Sequence, residues 1–179
     1  MGLSYAPASL WELLLVRNAF LMICFLACPA AAQAPKPTVF ANGELRFVNA
    51  GRQYSLAVTD PKDPDTSKQR LNPSRYSWQK DAKGNAFHKS VLDFGRPGPE
   101  EATLALLLPG TGDYWATTLG PRFELVVTMR GATTRLTGDD FGSCTLKVTQ
   151  LEASGVKGTM SCPNRRTGEL SNIEFSAAP

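Results

Sequence analysis

The stretch Ser143–Cys162, S-C-T-L-K-V-T-Q-L-E-A-S-G-V-K-G-T-M-S-C, decides how the rest of the chain is read. Closed as a hairpin over Glu152, Ala153 and Ser154, with Gly155 supplying a positive φ, it opposes Cys144 to Cys162, Leu146 to Met160, Val148 to Gly158 and Gln150 to Val156. Strand side chains alternate, so Cys144, Leu146 and Val148 share an apolar face with Val156, Gly158, Met160 and Cys162. Thr145, Lys147, Thr149, Lys157, Thr159 and Ser161 form the wet face. Directly opposed antiparallel residues have Cα atoms roughly 4.5–5.5 Å apart, within the span of a disulfide. The spacing therefore predicts a Cys144–Cys162 bridge, which would constrain the unfolded chain by about 3 kcal/mol; the alternative is a pair of buried thiols.

The expectation of oxidation rests on the N-terminus. Arg17 precedes the apolar run Ala19–Cys28, too short to span a bilayer but suited to a signal-peptide core. Ala30 and Ala32 satisfy the small-residue cleavage rule, so residues 1–32 are expected to be a signal peptide whose removal leaves 147 of the 179 residues. Phe25-Leu-Ala-Cys28 also looks like a degenerate lipobox, in which Cys28 would be lipidated. Phe25 in place of leucine, and Pro29 after the cysteine, favour plain secretion or periplasmic release over lipid anchoring. Membrane attachment is expected only if Cys28 is lipidated.

Residues 33–43 read as an extended tether and residues 44–179 as one domain, long enough for its own core. Leu45 and Phe47 alternate up to a turn at Asn49-Ala-Gly-Arg52, and Tyr54, Leu56 and Val58 alternate after it. Asp60–Ser74 carries Pro61, Pro64, Pro73 and many charges but no period, and reads as a loop. Tyr76 and Trp78 share one strand face, and Asp81–Asn85 turns the chain into Phe87–Phe94. Ala102–Leu108 is apolar on both faces, as in a strand covered twice or lining a cavity. Phe123, Leu125, Val127 and Met129 alternate cleanly with polar residues, Val126 excepted. Thr133–Thr137 follows, then the cysteine hairpin and a last strand with Ile173 and Phe175 inward. The fold class is all-β: nine or ten short strands in an antiparallel two-sheet sandwich or a flattened barrel.

The early G-x-L-x-F of Gly43, Leu45 and Phe47, the P-G-x-x-x-Y turn of Pro109, Gly110 and Tyr114, and the C-x-x-x-V-T and G-V-x-G-T-x-S-C halves of the cysteine hairpin (Cys144, Val148, Thr149, then Gly155, Val156, Gly158, Thr159, Ser161, Cys162) occur in this order. The pattern resembles uncharacterised bacterial secreted and lipoprotein β-sandwich proteins. The resemblance implies an exported β-sandwich and brings no catalytic residue with it.

The chain is not expected to be an enzyme. His88 is its single histidine, which excludes multi-histidine metal sites and histidine-pair acid–base chemistry. Ser90, His88 and Asp93 make a poor triad, because Asp93 points away from the face that the other two share. Asp60, Asp63 and Asp65 fail the calcium-loop spacing, so no metal or cofactor is expected. A formal charge of +3, unchanged by loss of Arg17 and Glu12, is too small for a nucleic-acid footprint. The most basic stretch, Lys62–Lys89, interleaves Tyr76 and Trp78. Arg70, Arg75, Tyr76 and Trp78 are accordingly the candidate ligand-binding residues of an envelope or extracellular binding module, with an anionic glycan, lipid headgroup or envelope protein as partner. An apolar cleft beside Leu104–Leu108 is a second location for such a site. The competing expectation is a structural or interaction protein, an inhibitor or assembly partner, recognised by an uncovered edge strand or apolar patch.

Overall fold

In a computed structural model of the chain, residues 35–59, 73–96, 98, 100–138, 144–161 and 170–179 are described. Short, punctuated, alternating stretches give twelve strands: β1 (Thr38–Val39), β2 (Asn42–Asn49), β3 (Arg52–Ala57), β4 (Arg75–Lys80), β5 (Ala86–Arg96), β6 (Glu100–Leu108), β7 (Gly112–Trp115), β8 (Phe123–Met129), β9 (Ala132–Thr137), β10 (Thr145–Glu152), β11 (Gly155–Ser161) and β12 (Ser171–Ala178). They form two six-stranded sheets, ordered β1-β4-β5-β6-β8-β9 and β3-β2-β12-β11-β10-β7, and every pairing within them is antiparallel. This is the sandwich; the sheets do not close into a barrel. The excess over nine or ten strands includes two pieces too short to carry a period, β1 and β7.

Inward residues of both sheets build one core. Leu92, Phe94, Leu104, Leu106, Leu108, Phe123 and Leu125 come from the first sheet, and Leu45, Phe47, Leu146, Met160, Ile173 and Phe175 from the second. The sheets are sewn together where the chain changes layer. Phe40 donates its N–H to Ser74 O at 2.8 Å on the first sheet's side, and Ala41 donates to Ala178 O at 3.0 Å on the second. Phe40 has no exposed surface. Part of the expected tether over 33–43 belongs to the sheets: among the described residues β1 starts at Thr38 and β2 at Asn42, and Phe40 between them is a core side chain at the layer change, hidden in sequence by prolines before it. After β3 the chain crosses again, with Val58 bridging Phe94 and the Thr59 N–H donating to Asp93 O at 3.1 Å. Gly43 (φ 129°) serves this seam, since a Cβ there would lie 2.1 Å from Ser176 O.

The expected register of the cysteine hairpin holds over Thr145–Ser161, Leu146–Met160, Lys147–Thr159 and Val148–Gly158. It then slips by one at a bulge between Val148 and Gln150, giving Gln150–Lys157, Leu151–Val156 and Glu152–Gly155. The three-residue closure is thus corrected to a two-residue turn, Ala153–Ser154. Gly155 is no positive-φ residue; its role is space, with Gln150 Nε2 at 3.0 Å and Ala177 O at 3.1 Å from where a Cβ would sit. The bulge also swaps faces, so Leu151 turns into the core where strict alternation would put Gln150.

β6 lies between β5 and β8. Ala102, Leu104, Leu106 and Leu108 are buried, whereas Thr103, Ala105 and Leu107 on its other face are half-buried. The outer face of this strand is not sealed by a second layer.

Candidate functional site

The turn Asp81–Asn85, tied by the Asp81 N–H to Asn85 O (2.9 Å) and by Asp81 Oδ1 accepting from the Lys83 and Asn85 N–H groups, fixes how β4 meets β5. That register opposes Trp78 to His88 and Tyr76 to Ser90. Paired residues share a face, so Tyr76, Trp78 and His88 all look inward at one end of the first sheet. Exposure grades outward along them. Tyr76 is 5% exposed, His88 is half-buried, and Trp78, nearer the end of β4, is 39% exposed.

Tyr76 and His88 are joined by a 2.6 Å hydrogen bond between the phenol oxygen and Nδ1, with ring centroids 5.9 Å apart. The Tyr76 hydroxyl has a raised pKa, mainly from burial and secondarily from the negative charge of Glu152. Glu152 closes β10 at the hairpin turn. Ser154 Oγ and Gln150 Nε2 donate to its Oε1, the latter at 3.2 Å, which holds its pKa below the usual carboxylate value. Lys80, the next position of the same parity on β4, is exposed.

The four expected ligand-binding residues do not form one surface. Arg75 lies on the opposite face of β4 from Tyr76 and Trp78, its rung partners being Val39 and Val91. Tyr76 is core and offers no exposed ring, so the aromatic pair reduces to Trp78. Arg70 lies outside the described residues, as do Asp60, Asp63, Asp65 and Cys162. Ser90 Oγ is directed at Arg75 O (3.5 Å), while Asp93 accepts from Thr103 Oγ1 and, at its N–H, is bonded to Ser74 Oγ at 2.8 Å. The Ser90, His88 and Asp93 side chains thus have separate partners. Among the described residues no group of three or more His, Cys, Asp and Glu side chains is arranged to hold a metal ion, and no helix is long and apolar enough to cross a membrane.

Two further surfaces stand out. A shallow groove of about 390 Å³ crosses the outer face of the second sheet, lined by Glu44, Arg46, Lys157, Thr159, Glu174 and Ser176 over the backbone of Gly158 and Phe175. Glu44 is ion-paired with Arg46 and accepts from Ser55 Oγ at 3.0 Å. On edge strand β7, Trp115 is 60% exposed. Comparison with known protein families, curated proteins and solved structures returns no match.

Proposed function

We propose that this protein is a non-enzymatic, exported binding module whose ligand meets the end of the sandwich at Trp78. The observation that carries the reading is Trp78, an indole 39% exposed on a strand and directly opposed to His88, whose imidazole is fixed by the buried Tyr76 phenol. An aromatic body with one wet edge, set on rigid strands, suits recognition more than packing. Titration of the mature protein with envelope glycans, followed by calorimetry and by tryptophan fluorescence, tests it: binding should be lost in Trp78→Ala with the fold intact by circular dichroism. Ligand binding that is indifferent to Trp78 would refute it.

Export and a Cys144–Cys162 disulfide belong to the same proposal. Cys144 is buried and is not a free thiol. The Thr145–Ser161 pairing would, if continued by one rung, oppose Cys144 to Cys162, which lies outside the described residues. Secretion implies an oxidising compartment in which such a pair persists. Mass spectrometry of the protein from its own cell, with and without reductant, reads cleavage after Ala32, lipidation at Cys28 and the two-proton difference of the disulfide together.

A second reading, an interaction protein such as an inhibitor or assembly partner, is favoured by Trp115. This residue places a large apolar side chain in solvent at the end of an edge strand. Loss of a partner on Trp115→Ser, with the Trp78 surface untouched, would support that reading.

A further inference from the structure

We infer that the outer face of the first sheet docks on an anionic lipid bilayer, through an apolar patch framed by unpaired cations. β6 is apolar on both faces, and its outer residues are only half-buried. The register sets them among others of their kind. Ala105 lies opposite Val91, Leu107 lies diagonally from Phe87 and Val91, and Val126 on β8 lies diagonally from Ala105. Val39 on the edge strand continues the patch on the far side of Arg75 and is 43% exposed. The outer face of the second sheet is built differently: its groove offsets Glu44 and Glu174 with Arg46 and Lys157 around Thr159 and Ser176.

Charge decides what can lie on the apolar face. Lys89 shares a rung with Leu107, Arg75 stands between Val39 and Val91, and the Arg122 guanidinium lies 5.6 Å from the centre of the Phe87 ring. All three cations are exposed, and among the described residues none of them is ion-paired. The carboxylates of this face are engaged or distant. Asp93 is buried and accepts from Thr103, Glu124 is paired with Arg135, and Glu101 stands at the opposite end of β6 from Leu107. A second copy docked face to face would set this cationic patch against another like it. A bilayer interface instead offers anionic headgroups and apolar ground side by side, which is the chemistry that these residues present. Each lysine or arginine near such a surface strengthens binding about fivefold. Trp78 belongs to the opposite face of β4 from Arg75, so the docking surface is separate from the ligand site proposed there.

Residues 35–179 form a compact unit with its own core, and protein of this span leaves out the apolar run Ala19–Cys28 and any lipid on Cys28. Its co-sedimentation with mixed phosphatidylglycerol–phosphatidylcholine vesicles is expected to exceed that with pure phosphatidylcholine and to weaken as sodium chloride is raised. Binding should fall about fivefold in Lys89→Gln and in Arg122→Gln, and should fall in Val39→Ser, which alters no charge. Lys157→Gln, which removes the same charge from the other sheet, and Trp78→Ala should leave it unchanged. Equal losses in Lys89→Gln and Lys157→Gln would show diffuse attraction and overturn the face, as would a loss in Trp78→Ala alone. Binding to polyglutamate but not to vesicles would assign an acidic protein, and a dimer in analytical ultracentrifugation that Val39→Ser dissociates would assign a second copy; either overturns the lipid surface. Absence of vesicle binding in protein folded by circular dichroism, or binding indifferent to phosphatidylglycerol, overturns it outright and leaves the glycan titration of Trp78 to be decided by its own result.

Discussion

Gly158→Ala provides a sharp test of the packing, because strand propensity and structure disagree about its sign. Propensity favours the change: glycine inside a strand costs about 0.5–1 kcal/mol relative to alanine. The structure opposes it. Gly158 sits on β11 between β10 and β12, facing Val148 on one side and Phe175 on the other. A Cβ would lie 2.5 Å from Phe175 Cζ, 3.1 Å from Cε1 and 2.6 Å from Lys147 O. The ring belongs to a core residue that is 2% exposed, and the carbonyl belongs to the neighbouring strand, so neither obstacle can swing into solvent. Overpacking of this kind costs about 1–3 kcal/mol. Because part of the strain falls on backbone, the upper half of that range applies, and subtracting the propensity gain leaves a net loss of about 2 kcal/mol.

Urea denaturation monitored by circular dichroism should show a lower midpoint with an unchanged m value, and the melting temperature should fall by about 5 °C. Phe175→Leu provides the internal control. If the ring carries much of the clash, the double variant should lose less than the two singles combined, by at least about 0.5 kcal/mol. Gly158→Ala that is neutral or stabilising, or strict additivity with Phe175→Leu, would refute the argument that Phe175 fills the space this glycine vacates.

Four other outcomes are expected. Ala50 (φ 50°) and Arg130 (φ 51°) each precede a glycine in a two-residue hairpin turn and adopt a left-handed conformation unfavourable to them; Ala50→Asn and Arg130→Asn should each raise stability by about 1 kcal/mol in thermal melts. Alkaline stability should fall above pH 10. Burial raises the pKa of Tyr76 and of Tyr114, so the folded state retains protons that the unfolded state has released, and stability is lost as pH rises through the raised values. Tyr76→Phe should flatten part of that slope in pH-dependent unfolding. At the acid end the sign reverses: Glu44, Asp81 and Glu152 have lowered values, so their contribution is complete above the ordinary carboxylate range and vanishes as pH falls through the folded values. Reduction with dithiothreitol should lower the unfolding free energy from urea titration by about 3 kcal/mol if Cys144 and Cys162 are bridged, and Cys144→Ser should abolish that difference.

What could be read from the residues, and what could not, divides along the range of the interactions involved. Period-two alternation survives wherever one face is buried, which is why Phe123–Met129, Leu45–Phe47 and the first half of the cysteine hairpin lie as their patterns imply. The bulge near Thr149 left no mark in that alternation, since it is settled by the competition to bury Leu151 rather than Gln150. Phe40 was illegible for a related reason. Its neighbours say nothing about burial, and only the simultaneous presence of Ser74 on one layer and Ala178 on the other makes it core.

The Trp78 end is more instructive, because part of it was within reach of sequence reasoning. A five-residue turn over Asp81–Asn85 obliges residue 80 to face 86, hence 78 to face 88 and 76 to face 90. His88 therefore stood beside Trp78 and diagonally from Tyr76 as soon as that turn was placed. Glu152 could not be reached in this way. The effect of its charge on the Tyr76 hydroxyl depends on how one sheet lies over the other, a property of the packed core and not of any hairpin. The same dependence limits the electrostatic argument: counted along the chain, Tyr76 and Trp78 lie in the basic stretch from Lys62 to Lys89, yet Arg75 turns to the other face of the sheet from both, so charge read in sequence order does not give the charge that a ligand at Trp78 would meet.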